Sequence, residues 1–157
     1  MRLSALLVAL VATIIPSTTF AEDPPPRIAS AAARTRTPVN LDGRDDEPSW
    51  KEAAIIDAFR VFDPTEDGDP RFRTVTRIMY DNSNLYVHVR AFDPHPDSIV
   101  GLLSRRDVRT QSDYITVMID SYHDRRTGYG FAVNPAGVQR DLYMYNDVVE
   151  DLSWDAV

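Results

Sequence analysis

The sequence predicts an all-β fold, an antiparallel β-sandwich, and three observations support this prediction. Short segments of alternating apolar and polar residues recur along the chain, and turn-forming pairs of Asp, Asn, Gly and Pro separate them. Only residues 47–54 have a helical pattern. About seven strands at short spacing are typical of two packed antiparallel sheets.

Each element follows from its local pattern. In the predicted helix, Pro48 suits the first turn because its ring fixes a helical φ. In the strands, period-two alternation places His88 outward, and it places Tyr143 and Tyr145 on one face with Gln139 and Asp141. The strongest strand predictions cover residues 85–92, 114–120 and 138–145, and weaker ones cover residues 55–62, 72–80, 99–103 and 129–133.

The amino-terminal region has the features of a targeting segment and a tether. Residues 1–21 combine Arg2, an apolar stretch and a small-x-small end at Ala21, which predicts a cleaved secretory signal. Residues 22–37 contain a run of prolines and then an alanine-rich run, which predicts an extended linker. The folded domain is therefore expected to cover residues 38–157.

Composition excludes several classes of function. The chain has 157 residues, with 17 Lys and Arg against 24 Asp and Glu, and the net charge of −7 argues against a nucleic-acid partner. The absence of cysteine excludes disulfides, thiolate zinc sites and cysteine nucleophiles. No Gly-x-Ser-x-Gly elbow occurs, and no carboxylate pair lies within an apolar segment. We therefore predict that the chain is not an enzyme.

Four ordered blocks resemble carbohydrate-binding module family 9 and its relatives. The first block is residues 38–50, with Asp42-Gly43 and a later tryptophan, and the second is the tyrosine-aspartate turn and strand of residues 80–87. Residues 112–120 and 128–139 form the other two blocks. The resemblance covers nearly all of the predicted domain. It implies an immunoglobulin-like β-sandwich, sugar binding and structural calcium.

The resemblance also implies where a sugar and a metal bind. In the family an aromatic clamp holds the glycan, but the loop that corresponds to one clamp tryptophan, residues 109–112, has no aromatic residue here. Polar residues of this loop and tyrosines of the strand at 138–145 are the candidate glycan contacts, with a solvated sheet face as the alternative for the tyrosines. Asp42 and Asp45 are the candidate calcium ligands, since calcium prefers oxygen donors. The candidate glycan contacts are Arg109, Gln111, Asp113, Tyr143 and Tyr145.

A secreted carbohydrate-binding module is the function that the sequence predicts, in the periplasm or at the outer membrane of a Gram-negative bacterium. It would hold a glycan for polysaccharide breakdown or uptake by a partner. Relatives continue with further strands, so we expect this chain to lack its last strands, and an outer-membrane barrel or a hydrolase to follow. The alternatives are a docking or plug domain of a barrel protein and a glycoside hydrolase. A minor hypothesis is that Arg105, Arg106, Arg125 and Arg126 bind an anionic glycan.

Overall fold

The computed structural model of the chain describes residues 29–146 and 149–156, and within them the fold is all-β and sandwich-like. One short α-helix and one 3₁₀ turn, Pro96–Ser98, interrupt the strands. The elements are β1 (Ala33–Arg34), α1 (Pro48–Glu52), β2 (Thr74–Tyr80), β3 (Leu85–Ala91), β4 (Ile115–Ile119), β5 (Gly128–Val133), β6 (Gln139–Tyr145) and β7 (Val149–Asp151).

The strands form two sheets. The first has the order β1-β2-β3, with β1 parallel to β2 and β2 antiparallel to β3. The second has the order β4-β5-β6-β7, and every pairing in it is antiparallel. Val87 and Val89 of the first sheet line the same cavity as Ile115 and Val117 of the second, so the two sheets face each other across it.

Most of the predicted elements are confirmed, but two weak strand predictions are wrong. Residues 55–62 make only the isolated bridges of Ile56 with Thr76 and Val61 with Gly68, and both phenylalanines of this segment stay exposed. Residues 99–103 form a loop because the side chains of residues 112 and 113 bind its backbone amides in place of a neighbouring strand. The predicted helix is also shorter than expected, although Pro48 does begin it.

Strand pairing begins before Pro38, within the segment that was predicted to be an extended linker. Ala33 pairs with Met79, and the amide of Thr35 donates to the carbonyl of Tyr80 at 2.9 Å. The methyl group of Ala33 also packs against the hydrophobic core, which gives this segment a reason to pair. The predicted signal peptide lies outside the described residues. In the part of the chain that the structure describes, no helix has the length and apolarity needed to cross a membrane.

The main hydrophobic core lies between α1 and the first sheet. Trp50, which is 3% exposed, packs there with Ala53 and the fully buried Met79. The helix therefore covers the face of β3 that carries His88, whose ring centroid is 5.6 Å from that of Trp50. His88 lies on the face opposite Val87 and Val89, as the alternation predicts, but α1 covers that face, and alternation along a strand does not show what a distant helix covers.

A tight turn between β2 and β3 depends on the Asp81 carboxylate. It accepts hydrogen bonds from the amides of Ser83 and Asn84, both at 2.7 Å, and from the hydroxyl of Tyr86 at 2.8 Å. The hydrogen bond from the Ser83 amide is the largest cause of a low pKa for Asp81, about 2 against its ordinary value of 3.8, and the Tyr86 hydroxyl adds to it. The ionised carboxylate therefore stabilises the turn.

Replacing Asp81 by asparagine is expected to lower the melting temperature at neutral pH. Because folding lowers the pKa, the stabilisation by Asp81 is present above pH 3.8 and is lost as the pH falls toward 2. Thermal melts between pH 7 and pH 2 should show the largest difference between Asp81→Asn and the original chain at neutral pH, and a smaller one near pH 2. Asp97→Asn, which changes an exposed acid in the 3₁₀ turn, is the matched control. Equal losses of stability in both variants would contradict this role.

Candidate functional site

Five aromatic side chains form a continuous strip on one face of the second sheet, which we call the aromatic strip. Tyr145 stacks on Tyr143 with ring centroids 6.0 Å apart, and Tyr143 lies 5.3 Å from Tyr129. Trp154 continues the strip, 4.8 Å from Tyr129 and 6.1 Å from Phe131. The strip therefore offers several ring faces in succession.

Strand register brings these residues together. Tyr129 is opposite Tyr143, and Phe131 is opposite Asp141, so alternate residues of β5 and β6 share one face. On β6 this face carries Gln139, Asp141, Tyr143 and Tyr145, the grouping that the sequence pattern predicts. Trp154 comes from the segment after β7, which folds back onto β5.

A buried carboxylate marks the polar end of this face. Asp141 is 2% exposed, and its Oδ2 accepts hydrogen bonds from Arg106 at 3.0 Å and from the amide of Ala156. Its own amide donates to Oδ1 of Asp107 at 3.1 Å. The second carboxylate oxygen of Asp141, Oδ1, makes no hydrogen bond with the described residues.

Both partners of this ion pair are charged at neutral pH. Burial acts to raise the pKa of Asp141, but hydrogen bonds from the Ala156 amide and from Arg106 outweigh it and hold the pKa below its ordinary value. The hydrogen bond to Asp141 also raises the pKa of Arg106. An ionised carboxylate only accepts hydrogen bonds, so Oδ1 of Asp141 is an acceptor that needs a donor.

Two cavities along this face meet at Phe131, and we call them together the groove. The first lies between the sheets, has a volume of about 470 Å³, and is lined by Arg106, Gln139 and Asp141 together with apolar residues of both sheets. The second, of about 360 Å³, is lined by Tyr129 and Trp154. Phe131 is 40% exposed and lines both cavities. The groove therefore has a polar part and an aromatic part.

The structure separates the predicted glycan contacts into two groups. Tyr143 and Tyr145 belong to the aromatic strip, beside the groove, and neither lines its two cavities. Arg109 and Gln111 are exposed in the loop before β4, and neither lines the groove among the described residues. Asp113 braces this loop, because its amide donates to the carbonyl of Val100 and its carboxylate accepts from the Val100 amide, each at 2.8 Å.

Sequence reasoning did not include several groove residues in the predicted site. Tyr129 and Phe131 lie in a segment that was predicted only as a weak strand, yet their alternation two residues apart is a usable signal. The Asn134-Pro135 turn that follows would also have indicated a hairpin with β6. Arg106 and Trp154 come from distant segments, and no local pattern places them here.

The two predicted calcium ligands are engaged with neighbouring residues. Oδ1 of Asp42 accepts from the amide of Arg44 at 2.9 Å, and Asp45 forms an ion pair with Arg77. Among residues 29–146 and 149–156, no cluster of three or more His, Asp or Glu side chains is placed to hold a metal ion. Calcium takes six to eight oxygen ligands, and the carboxylates of Asp42 and Asp45 alone supply fewer than that. Calcium binding stays a prediction from the resemblance.

Of the paired arginines, Arg106 forms side-chain ion pairs, whereas Arg125 and Arg126 contact acids through their backbone amides. Arg106 lies 3.4 Å from Asp107 as well as 3.0 Å from Asp141. The backbone amides of Arg125 and Arg126 donate to the carboxylates of acids in the same turn, at 2.9 Å and 2.8 Å. Ion pairs with one adjacent and one distant acid therefore account for Arg106, and binding of an anionic glycan by these arginines stays a hypothesis.

Comparison of the chain with protein-family models, with curated proteins and with solved structures finds no significant match. The resemblance to carbohydrate-binding module family 9 therefore rests on the four sequence blocks. What the resemblance implies about function is a proposal. The geometry of the groove is a separate observation that bears on the same proposal.

Proposed function

We propose that the chain is a carbohydrate-binding module that holds a glycan in the groove. The observation that carries this proposal is the aromatic strip running into the polar group at Asp141. A pyranose ring has apolar C–H faces that pack on aromatic rings, and hydroxyl groups at its edge that need hydrogen-bond partners. The groove offers both kinds of contact side by side.

The contacts along the strip suit a chain of sugars. Successive rings from Tyr145 through Tyr143 and Tyr129 to Trp154 are each within 6.0 Å of the next. Neighbouring sugars of one glycan would pack on neighbouring rings. Large aromatic side chains of this kind lose little conformational entropy on binding, which makes them effective anchors.

The electrostatics of the groove favour binding over hydrolysis. A glycosidase needs one carboxyl group with a raised pKa to act as the acid. Asp141, the carboxyl group in the first cavity, has a lowered pKa and is paired with Arg106. A carboxylate held in its ionised form does not protonate a leaving oxygen, so Asp141 does not suit the role of a glycosidase acid.

The cellular role that we propose follows from the sequence. The signal-like residues 1–21 and the family resemblance favour a secreted protein of the periplasm or outer membrane. There the module would keep a glycan close to a partner hydrolase or to an outer-membrane barrel.

A second candidate function is docking to a barrel protein. Docking would bury exposed apolar side chains, and three that lie outside the groove are almost fully exposed: Leu41, Phe62 and Leu103. This candidate predicts that binding depends on these side chains and leaves the aromatic strip unused.

The test is a glycan screen with the purified chain, repeated on two tyrosine variants. Tyr143→Ala combined with Tyr145→Ala is expected to weaken binding at least tenfold, because it removes two of the five rings of the strip. Tyr80→Ala is the matched control, since Tyr80 is 41% exposed on the first sheet and Tyr145 is 38% exposed. Isothermal titration calorimetry with the tightest-binding glycan of the screen measures the affinity of the double variant and of the control.

Three outcomes of the screen separate the candidates. Loss of binding in the double variant with normal affinity in Tyr80→Ala supports the aromatic strip as the glycan site. Unchanged binding in the double variant would show that the glycan site does not include Tyr143 and Tyr145. A folded chain that binds no glycan at all would overturn the proposal in favour of docking. Repeating the screen with a calcium chelator also tests the predicted structural calcium.

A further inference from the structure

A further cavity, which we call the third cavity, lies next to the groove on the side away from Trp154. Its volume of about 650 Å³ is larger than that of either cavity of the groove. Ile115 and Val133 line both the third cavity and the first, just as Phe131 lines both the first and the second. The three cavities are therefore successive neighbours, with the first cavity in the middle.

Strand β5 is a common wall of the three cavities. Alternate residues of β5 share one face, which carries Tyr129 in the second cavity, Phe131 in the second and first, and Val133 in the first and third. A strand advances about 3.3 Å per residue, so these three positions span about 13 Å. One pyranose ring is shorter than this span, whereas a chain of sugars lying along β5 would reach all three cavities.

The third cavity combines aromatic and polar side chains, as the groove does. Its aromatic lining comes from Phe72, Phe92 and Tyr114. Its polar lining includes Arg71 and Asp93. An aromatic ring packs against the C–H face of a sugar, and guanidinium and carboxylate groups donate to and accept from its hydroxyls. The lining therefore suits a further sugar of the same ligand.

The polar side chains of the third cavity are open to a ligand. Arg71 is exposed, lies over the ring of Phe72 at 4.9 Å from the centroid, and forms no ion pair with the described residues. One carboxylate oxygen of Asp93 accepts from the amide of His95 at 2.7 Å. The other oxygen makes no hydrogen bond with the described residues and is not fully buried. Sugar hydroxyls can therefore find both a donor and an acceptor here.

We infer that the third cavity is part of the glycan site, and that the ligand is a linear oligosaccharide of several sugars lying along β5 from Trp154 to Phe92. The inference rests on the proposed function and deepens it by assigning a further subsite and a ligand length. A short oligosaccharide fits within the groove alone. A longer one also fills the third cavity.

The experiment measures affinity against chain length. Linear oligomers of glucose, mannose, galactose and xylose, from the disaccharide to the hexasaccharide, are titrated into the full chain by calorimetry. In at least one series we expect the hexasaccharide to bind about tenfold or more tightly than the disaccharide, because the longer ligand adds stacking and hydrogen bonds in the third cavity.

Two variants test whether the third cavity provides this gain. Phe92→Ala should remove most of the gain and leave the disaccharide within a few-fold of its original affinity. Phe59→Ala is the matched control, because Phe59 is 38% exposed against 40% for Phe92 and lines none of the three cavities. Arg71→Ala changes an exposed side chain and should weaken only the hexasaccharide, by several-fold. If Phe92→Ala does not fold by circular dichroism, Arg71→Ala decides in its place.

The results that overturn this inference differ from those that overturn the proposed function. Equal affinities for short and long oligomers would overturn the extension into the third cavity while glycan binding stands. A gain with length that persists in folded Phe92→Ala, or an equal loss for both lengths, would overturn it as well. Binding of no oligosaccharide and no polysaccharide would overturn the proposed function, and this inference with it.

Discussion

Replacing Trp50 by alanine is expected to lower the free energy of unfolding by about 3–5 kcal/mol. The indole is the largest member of the core between α1 and the first sheet, where it packs with Ala53 and the fully buried Met79. Single domains have a total stability of roughly 5–15 kcal/mol, so this one change would remove a large part of it. Urea unfolding followed by circular dichroism measures the loss.

Trp50→Phe is the informative companion variant. The indole Nε1 of Trp50 is buried without a hydrogen-bond partner among the described residues, so phenylalanine removes an unsatisfied donor and keeps most of the apolar contact. It should retain most of the stability. An unfolding midpoint of Trp50→Ala equal to that of the original chain would show that the contact between helix and sheet does not hold the fold together.

Replacing Trp154 by alanine is expected to weaken binding of the glycan found in the screen by about thirtyfold, or about 2 kcal/mol. Trp154 contacts both Tyr129 and Phe131, and it lines the aromatic part of the groove. Its removal would take away stacking surface and admit water between the rings that remain. Titration calorimetry on the folded variant measures the affinity.

The two tryptophans serve as controls for each other. Trp154→Ala should change affinity far more than the unfolding midpoint, because Trp154 is only partly buried and lies outside the core of Trp50. Trp154→Phe keeps an aromatic ring and should bind within a few-fold of the original chain. Unchanged glycan affinity in a folded Trp154→Ala would remove Trp154 from the proposed site.

Local alternation was sufficient to predict strands whose two faces have different environments. For this reason the structure contains β3, β4 and β6 where strands were predicted, at residues 85–92, 114–120 and 138–145. The pairing of Ala33 with Met79 was not predictable, because a two-residue strand carries no period and its partner is far away in sequence. The contact of α1 with His88 was not predictable for the same reason, since the helix is distant along the chain.

The candidate site was predictable only where it lies on one strand. Alternation on β6 grouped Tyr143 and Tyr145 with Asp141, and the register agrees. Phe131 joins them through strand order, and Arg106 reaches Asp141 from 35 residues earlier in the chain. Neither relationship can be predicted from a local sequence pattern. Arg109 and Gln111 entered the prediction through the resemblance and remain untested as contacts.

The second sheet is a meander, since β4, β5, β6 and β7 lie side by side in the order in which they follow one another in sequence. Each strand therefore meets its partner across one connection, and such local contacts favour fast formation because little loop entropy is lost. The pairing of β1 with β2, by contrast, closes a long stretch of chain. After a local opening event, the strands that would contact the ligand are thus the ones that re-form their hydrogen bonds soonest.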